Sequence, residues 1–116
     1  MDYDKVCKDI IDLDPKIRFA GICDDTGETI YGGMREGITS HLSPDETRQS
    51  NRLAIGRWGL RNALSPKTGR PKYAMAEYEK IKRATLPIND YLLLITMEVE
   101  ADHTRIIAQI LKIIGE

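Results

Sequence analysis

The stretch Asp90–Glu98, with sequence DYLLLITME, decides the fold. In an extended chain Tyr91, Leu93, Ile95 and Met97 point one way, and Leu92, Leu94 and Thr96 point the other. Only Thr96 interrupts the apolar character, so both faces need cover. A strand of this kind belongs in the middle of a sheet, with helices on each side.

Its neighbours are read from the flanking residues. Tyr73–Tyr78 and Ile81–Leu86 are apolar runs separated by Glu79-Lys80, and Asn89-Asp90 leads into the next run. Turns this short make the three strands an antiparallel meander. Pro87 is expected at the end of the middle strand, where a missing ladder donor is tolerated. Further upstream, residues 17–34 read as a hairpin. Ile17–Cys23 is apolar except for Arg18, and Thr29–Tyr31 runs into Gly32-Gly33. Between them Asp24-Asp25-Thr26-Gly27 is turn chemistry, with Gly27 suited to positive φ. The paired acids lack the further oxygen ligands and closing Glu of a calcium loop. Gly32-Gly33 lacks the longer glycine motif running into a helix that a phosphate cradle needs. It reads as a bulge or a close backbone approach at a strand exit.

Three helices supply the cover. In residues 2–13, Tyr3, Val6, Cys7, Ile10 and Ile11 form one apolar stripe, and Asp14-Pro15 ends it. Ser43-Pro44-Asp45-Glu46 is a capping box with proline at the first helical position, opening a helix to about Leu64. On that helix Leu53, Gly56, Leu60 and Leu64 share one face, while Ile55 and Trp58 lie on another. Arg48 and Arg52 share one side, and Arg57 and Arg61 lie roughly opposite, so the arginines form no single nucleic-acid stripe. Ser65–Lys72 reads as a basic loop carrying Lys67, Arg70 and Lys72. Asp102 caps a last helix from His103 to Ile114, with a broad isoleucine-rich face and Gly115 as its stop.

The resulting order is α-ββ-α-βββ-α. It predicts an α+β fold with a five-stranded antiparallel sheet in the order 2-1-5-4-3. The long helix covers one face and the terminal helices the other. The chain of 116 residues suits one domain spanning 1–116, with 41% hydrophobic and 30% charged residues to form a core and stay in solution. A net charge of −1 gives no drive towards nucleic acid or an acidic membrane. The acids Asp2 and Asp4 at the start argue against a signal peptide, and Leu92–Ile95 is far too short to span a bilayer. Cys7 and Cys23 lack metal-ligand spacing and read as small buried hydrophobes of a reduced, cytoplasmic protein. No metal or cofactor is expected.

This element order resembles the roadblock/dynein light chain family and its longin and profilin relatives. The resemblance implies a non-catalytic scaffold or small-GTPase regulator acting as a dimer. More locally, DPKIRFAGICDDTG (14–27), GGMREG (32–37), KIKRATLPIN (80–89) and LLLITMEVEADH (92–103) are similar to a family of small uncharacterised archaeal proteins, notably of ammonia-oxidising archaea. PAS-type sensor domains offer the alternative reading, a small-molecule sensor. Their sheet has the same order, and their first hairpin often carries a turn like Asp25-Thr26-Gly27. They place several short helices where this chain has one long one.

Catalysis finds little support. His41 sits in a Ser/Thr-rich loop and His103 begins the last helix, without a hydrolase, zincin or P-loop motif around them. The residues point instead to a two-fold homodimer. If Leu53, Leu60 and Leu64 cover the sheet, Ile55 and Trp58 are left as interface anchors. The edge strand, with Tyr73 and Met75, is defended only by Pro71 and Glu77.

Overall fold

The computed structural model describes residues 1–115. Its elements in chain order are α1 (Tyr3–Ile11), β1 (Ile17–Cys23), β2 (Thr29–Met34), α2 (Pro44–Ala63), α3 (Ser65–Thr68), β3 (Ala74–Glu77), β4 (Lys82–Ile88), β5 (Tyr91–Met97) and α4 (His103–Ile113). The strands form one antiparallel sheet in the order β2-β1-β5-β4-β3, as the two-faced reading of Asp90–Glu98 requires. β5 pairs with β1, Gly21 opposite Leu94, and with β4, Thr85 opposite Leu94.

The two faces of β5 serve two cores. Leu93, Ile95 and Met97 join Ile17, Ile22 and Leu86 beneath α1 and α4, which contribute Val6, Ile10, Ile106 and Ile110. Leu92 and Leu94 face the other way, against Cys23 and against Ala54 and Trp58 of α2. Leu94 is therefore buried between the sheet and one helix. Leu94→Ala is expected to cost about 2–5 kcal/mol, from lost transfer energy and the cavity left behind. Chemical denaturation reads this directly, and a loss below about 1 kcal/mol would take the residue out of the core.

The helix starts follow the capping residues. Asp2, Ser43 and Asp102 each accept from a backbone N–H in the first turn, and Ser43 with Glu46 completes the capping box. The hairpin turn forms on Asp24, whose Oδ1 accepts from Thr26 N at 2.9 Å and Thr26 Oγ1 at 2.6 Å, while Gly27 takes φ 88°. α2 holds that turn in place. Asn51 Nδ2 donates to Gly27 O at 3.0 Å and Arg52 Nε to Thr26 O at 2.8 Å. Gly32 is the close approach expected of the glycine pair, since a Cβ there would lie 2.1 Å from Ala20 O.

Three boundaries differ from the sequence reading. β4 starts at Lys82 and runs through Pro87 to Ile88. β3 stops opposite Thr85, so that stretch of β4 has one unpaired flank, where a residue without an N–H is tolerated. β3 itself begins at Ala74, leaving Tyr73 just outside it. Ser65–Thr68, read as loop, makes a short helical turn after α2. Among the described residues no helix is long and apolar enough to cross a membrane.

Candidate interaction surface

α2 sits on the sheet by its small and hydrogen-bonding residues. Asn51, Ala54 and Trp58 are its buried positions. Trp58 is only 4% exposed, and its Nε1–H donates to Thr85 Oγ1 at 2.7 Å. The expectation that Leu53, Leu60 and Leu64 cover the sheet is thus overturned, and with it the exposure of Trp58. The helix is turned by about a third of a revolution from that expectation. Ala54 lets the backbone approach the sheet, and a buried indole needs an acceptor, which Thr85 supplies. The leucine stripe faces outward instead, with Leu53 at 58%, Leu60 at 71% and Leu64 at 59% exposure.

The other expected interface residues divide as follows. Ile55 is half-buried and packs against the Trp58 cluster. Met75 is half-buried against the opposite core, and Tyr73 is exposed beside the strand. β3 pairs only with β4, so its outer edge is open, and Tyr78 at its far end is exposed as well. The outward leucines and the open edge strand lie on the same side of α2, with Arg57 and Arg61 between them. The sequence shows both apolar stripes of α2. It does not say which one the sheet takes.

A cleft of about 360 Å³ lies on the flank of α2 towards the hairpin tips. Cys23, Ile55, Trp58 and Leu92 make its floor, and Asp24, Asp25 and Asp90 stand at its rim. The hydrogen bond from Thr26, more than any other influence, holds the Asp24 carboxyl below the usual carboxylate range. Burial, then the Asp24 charge, pushes the Cys23 thiol up to about 11. Burial does the same to Cys7, also to about 11. Both free thiols are therefore protonated near neutral pH and are poor nucleophiles.

The histidines are placed apart from these thiols. His41 is exposed in the loop before α2. His103 Nδ1 lies 2.9 Å from the ammonium of buried Lys82, which also donates to Ala101 O at 2.9 Å. An ammonium only donates, so that ring nitrogen is the acceptor. Sequence reasoning also missed Arg35, which clamps the end of α1 to β1. Its Nε donates to Ile17 O at 2.7 Å, and its Nη2 to Ile11 O and Asp14 O at 2.6 and 2.7 Å. An arginine after a glycine pair carries no periodicity that would mark it. Among the described residues no group of three His, Cys, Asp or Glu side chains is placed to hold a metal ion.

The profile of a family of unknown function, DUF6659, matches residues 1–116. The chain belongs to that family. No curated protein matches this DUF6659 chain. Among solved structures it is similar to a Roadblock/LC7 domain from Streptomyces avermitilis, with a TM-score of 0.70 and 15% identity over 98% of this chain and 92% of that one. It is also similar to the gliding protein MglB of Thermus thermophilus, with a TM-score of 0.74 and 13% identity over 96% and 82% of the two chains. An MglB in a tetrameric arrangement gives a TM-score of 0.65 and 14% identity over 94% and 85%. At such identities the likeness is one of fold, and the fold is that of Roadblock/LC7 domains.

Proposed function

We propose that this DUF6659 chain is a non-catalytic interaction module, one domain over residues 1–116, acting in the cytoplasm as a two-fold homodimer. The observation that carries the proposal is the outward leucine stripe Leu53, Leu60 and Leu64, more than half exposed, with the open edge of β3 on the same side of the helix. Soluble monomers rarely leave an apolar stripe of this kind uncovered. A second copy is the simplest cover, because one patch meets itself across a two-fold axis and closes the assembly. The β3 edges pair, with Tyr73 and Met75 beside them. The outer faces of α2 pack together, with Ile55 at the margin. The tetrameric arrangement of one MglB supports assembly on this fold.

The dimer then presents a platform for a protein partner. A small GTPase is the partner class that the roadblock likeness suggests, with the module regulating it or scaffolding a complex. An archaeal source, as the local stretches suggest, belongs to the same reading, and neither nucleic acid nor membrane is a partner.

Light scattering over a micromolar range tests the dimer. Wild type is expected at twice the chain mass, and Leu60→Ser is expected to weaken association by about tenfold or more, the size of an interface anchor. A wild-type mass of one chain throughout would end the dimer reading. Affinity capture with and without guanine nucleotide tests the partner class, and a small GTPase retained in one nucleotide state only is the expected result.

A further inference from the structure

A second depression, of about 80 Å³, lies on the opposite flank of α2, above β3 and β4. Arg57 and Arg61 of α2 and Arg83 of β4 line it, with Tyr78 and Thr85, and no carboxylate is among its lining residues. This gathering is not evident from the helical wheel, because Arg83 comes from another element. The other two arginines of α2 are engaged elsewhere, Arg48 with Asp45 and Glu28 and Arg52 with Thr26 O.

Two of the three cations are held in place by neutral groups. Arg83 is half-buried and donates to Ser50 Oγ and, at 2.8 Å, to Asn51 Oδ1. The Arg61 guanidinium stacks over Trp58 at 5.2 Å. Among the described residues none of the three forms an ion pair. Burial first, and to a lesser degree the Arg57 charge, lowers the Arg83 pKa from its ordinary value. Arginines that line one depression without a carboxylate among them lack the pairing that partly buried charges ordinarily find.

We propose that this depression is an oxyanion site of the phosphate class. The charge decides the kind of ligand. A phosphate monoester brings about −1.5 to −2 charges and three strong acceptor oxygens. That matches three guanidiniums better than a single carboxylate does, and arginine forks suit phosphate oxygens geometrically. The site is complete within one chain, and because it lies between the leucine stripe and the β3 edge it falls inside the seam of the proposed dimer, so Leu60→Ser is the form in which it stands open.

Titration of the isotope-labelled protein with inorganic phosphate, at constant ionic strength against chloride, tests the site by amide shifts. Saturable shifts confined to residues 54–61 and 74–85 are expected at low millimolar phosphate. Arg57→Gln and Arg61→Gln are each expected to weaken binding by about tenfold, as for loss of one charge-assisted hydrogen bond. Arg48→Gln removes the same charge elsewhere on α2 and is expected to change affinity by less than about twofold. Glycerol 3-phosphate serves as a second probe. Tighter binding than inorganic phosphate identifies a phosphate ester as the source, and equal binding identifies the free ion. Leu60→Ser is titrated in parallel, so that loss of the dimer and loss of the site are read separately. Shifts that grow without saturating, that chloride reproduces, or that survive both arginine substitutions would overturn the proposal.

Discussion

Trp58→Ala is expected to remove about 3–5 kcal/mol of stability, the range for deleting a buried aromatic side chain. Domains of this size hold only about 5–15 kcal/mol in total, so the variant should be near the edge of folding. Two losses combine. The indole is the largest side chain between α2 and the sheet, packing with Cys23, Leu92 and Leu94. Its Nε1–H also satisfies Thr85 Oγ1, which is buried with it. Trp58→Phe separates the two, since it keeps most of the apolar volume and abandons the hydrogen bond. It should cost about 1–3 kcal/mol. Urea denaturation of the three proteins is the measurement. Equal midpoints for wild type and Trp58→Ala would mean that α2 does not rest on this residue.

Gly32→Ala should be comparably damaging although it adds one methyl group. The new Cβ would lie 2.1 Å from Ala20 O and 2.8 Å from Cys7 Sγ, and Gly32 has φ 74°. The carbonyl belongs to β1, whose partners on both sides fix it, so it cannot retreat without opening the ladder. A left-handed backbone costs about 1–3 kcal/mol for a residue with a side chain. Overpacking adds about 1–3 kcal/mol, for a total of about 2–6 kcal/mol. Gly59→Ala is the internal control. It is helical, and beyond its own turn of helix nothing lies within 4 Å of the added Cβ, so it should gain about 0.5–1 kcal/mol from helix propensity. Thermal midpoints that fail to move in opposite directions would refute this account of the two glycines.

What the sequence disclosed follows from how strongly each residue constrains its surroundings. DYLLLITME has one solution, a central strand, because leaving either face in water is costly. The capping box at Ser43 and the stop at Gly115 are local chemistry and need no tertiary context. The orientation of α2 was hidden for the opposite reason. Leu53, Leu60 and Leu64 carry more aliphatic surface than Ala54 and Asn51, so summed hydrophobicity favours the stripe that turns out to face outward. The sheet takes the other one because Trp58 and Asn51 find specific acceptors there, at Thr85 and Gly27. Such pairings exist only once distant strands have met. The arginine depression was hidden likewise, being assembled from α2 and β4 across the interval that holds the edge strand.

The ladder between β1 and β5 sets the tempo at which this molecule forms. It joins Ile17 to Met97 and Cys23 to Leu92, residues from opposite ends of the chain. The other three strand pairs are near neighbours in sequence and can zip up alone. Neither the first hairpin nor the meander can bury both faces of β5 until that long loop closes. Closing a loop this long costs more entropy than forming a local pair, and such distant pairings slow folding. During that wait the apolar edges of β1 and β5 are bare, and each half is a ready template for the wrong strand. A newly made chain is therefore most vulnerable to aggregation after its last strand has emerged and before its first strand has found it.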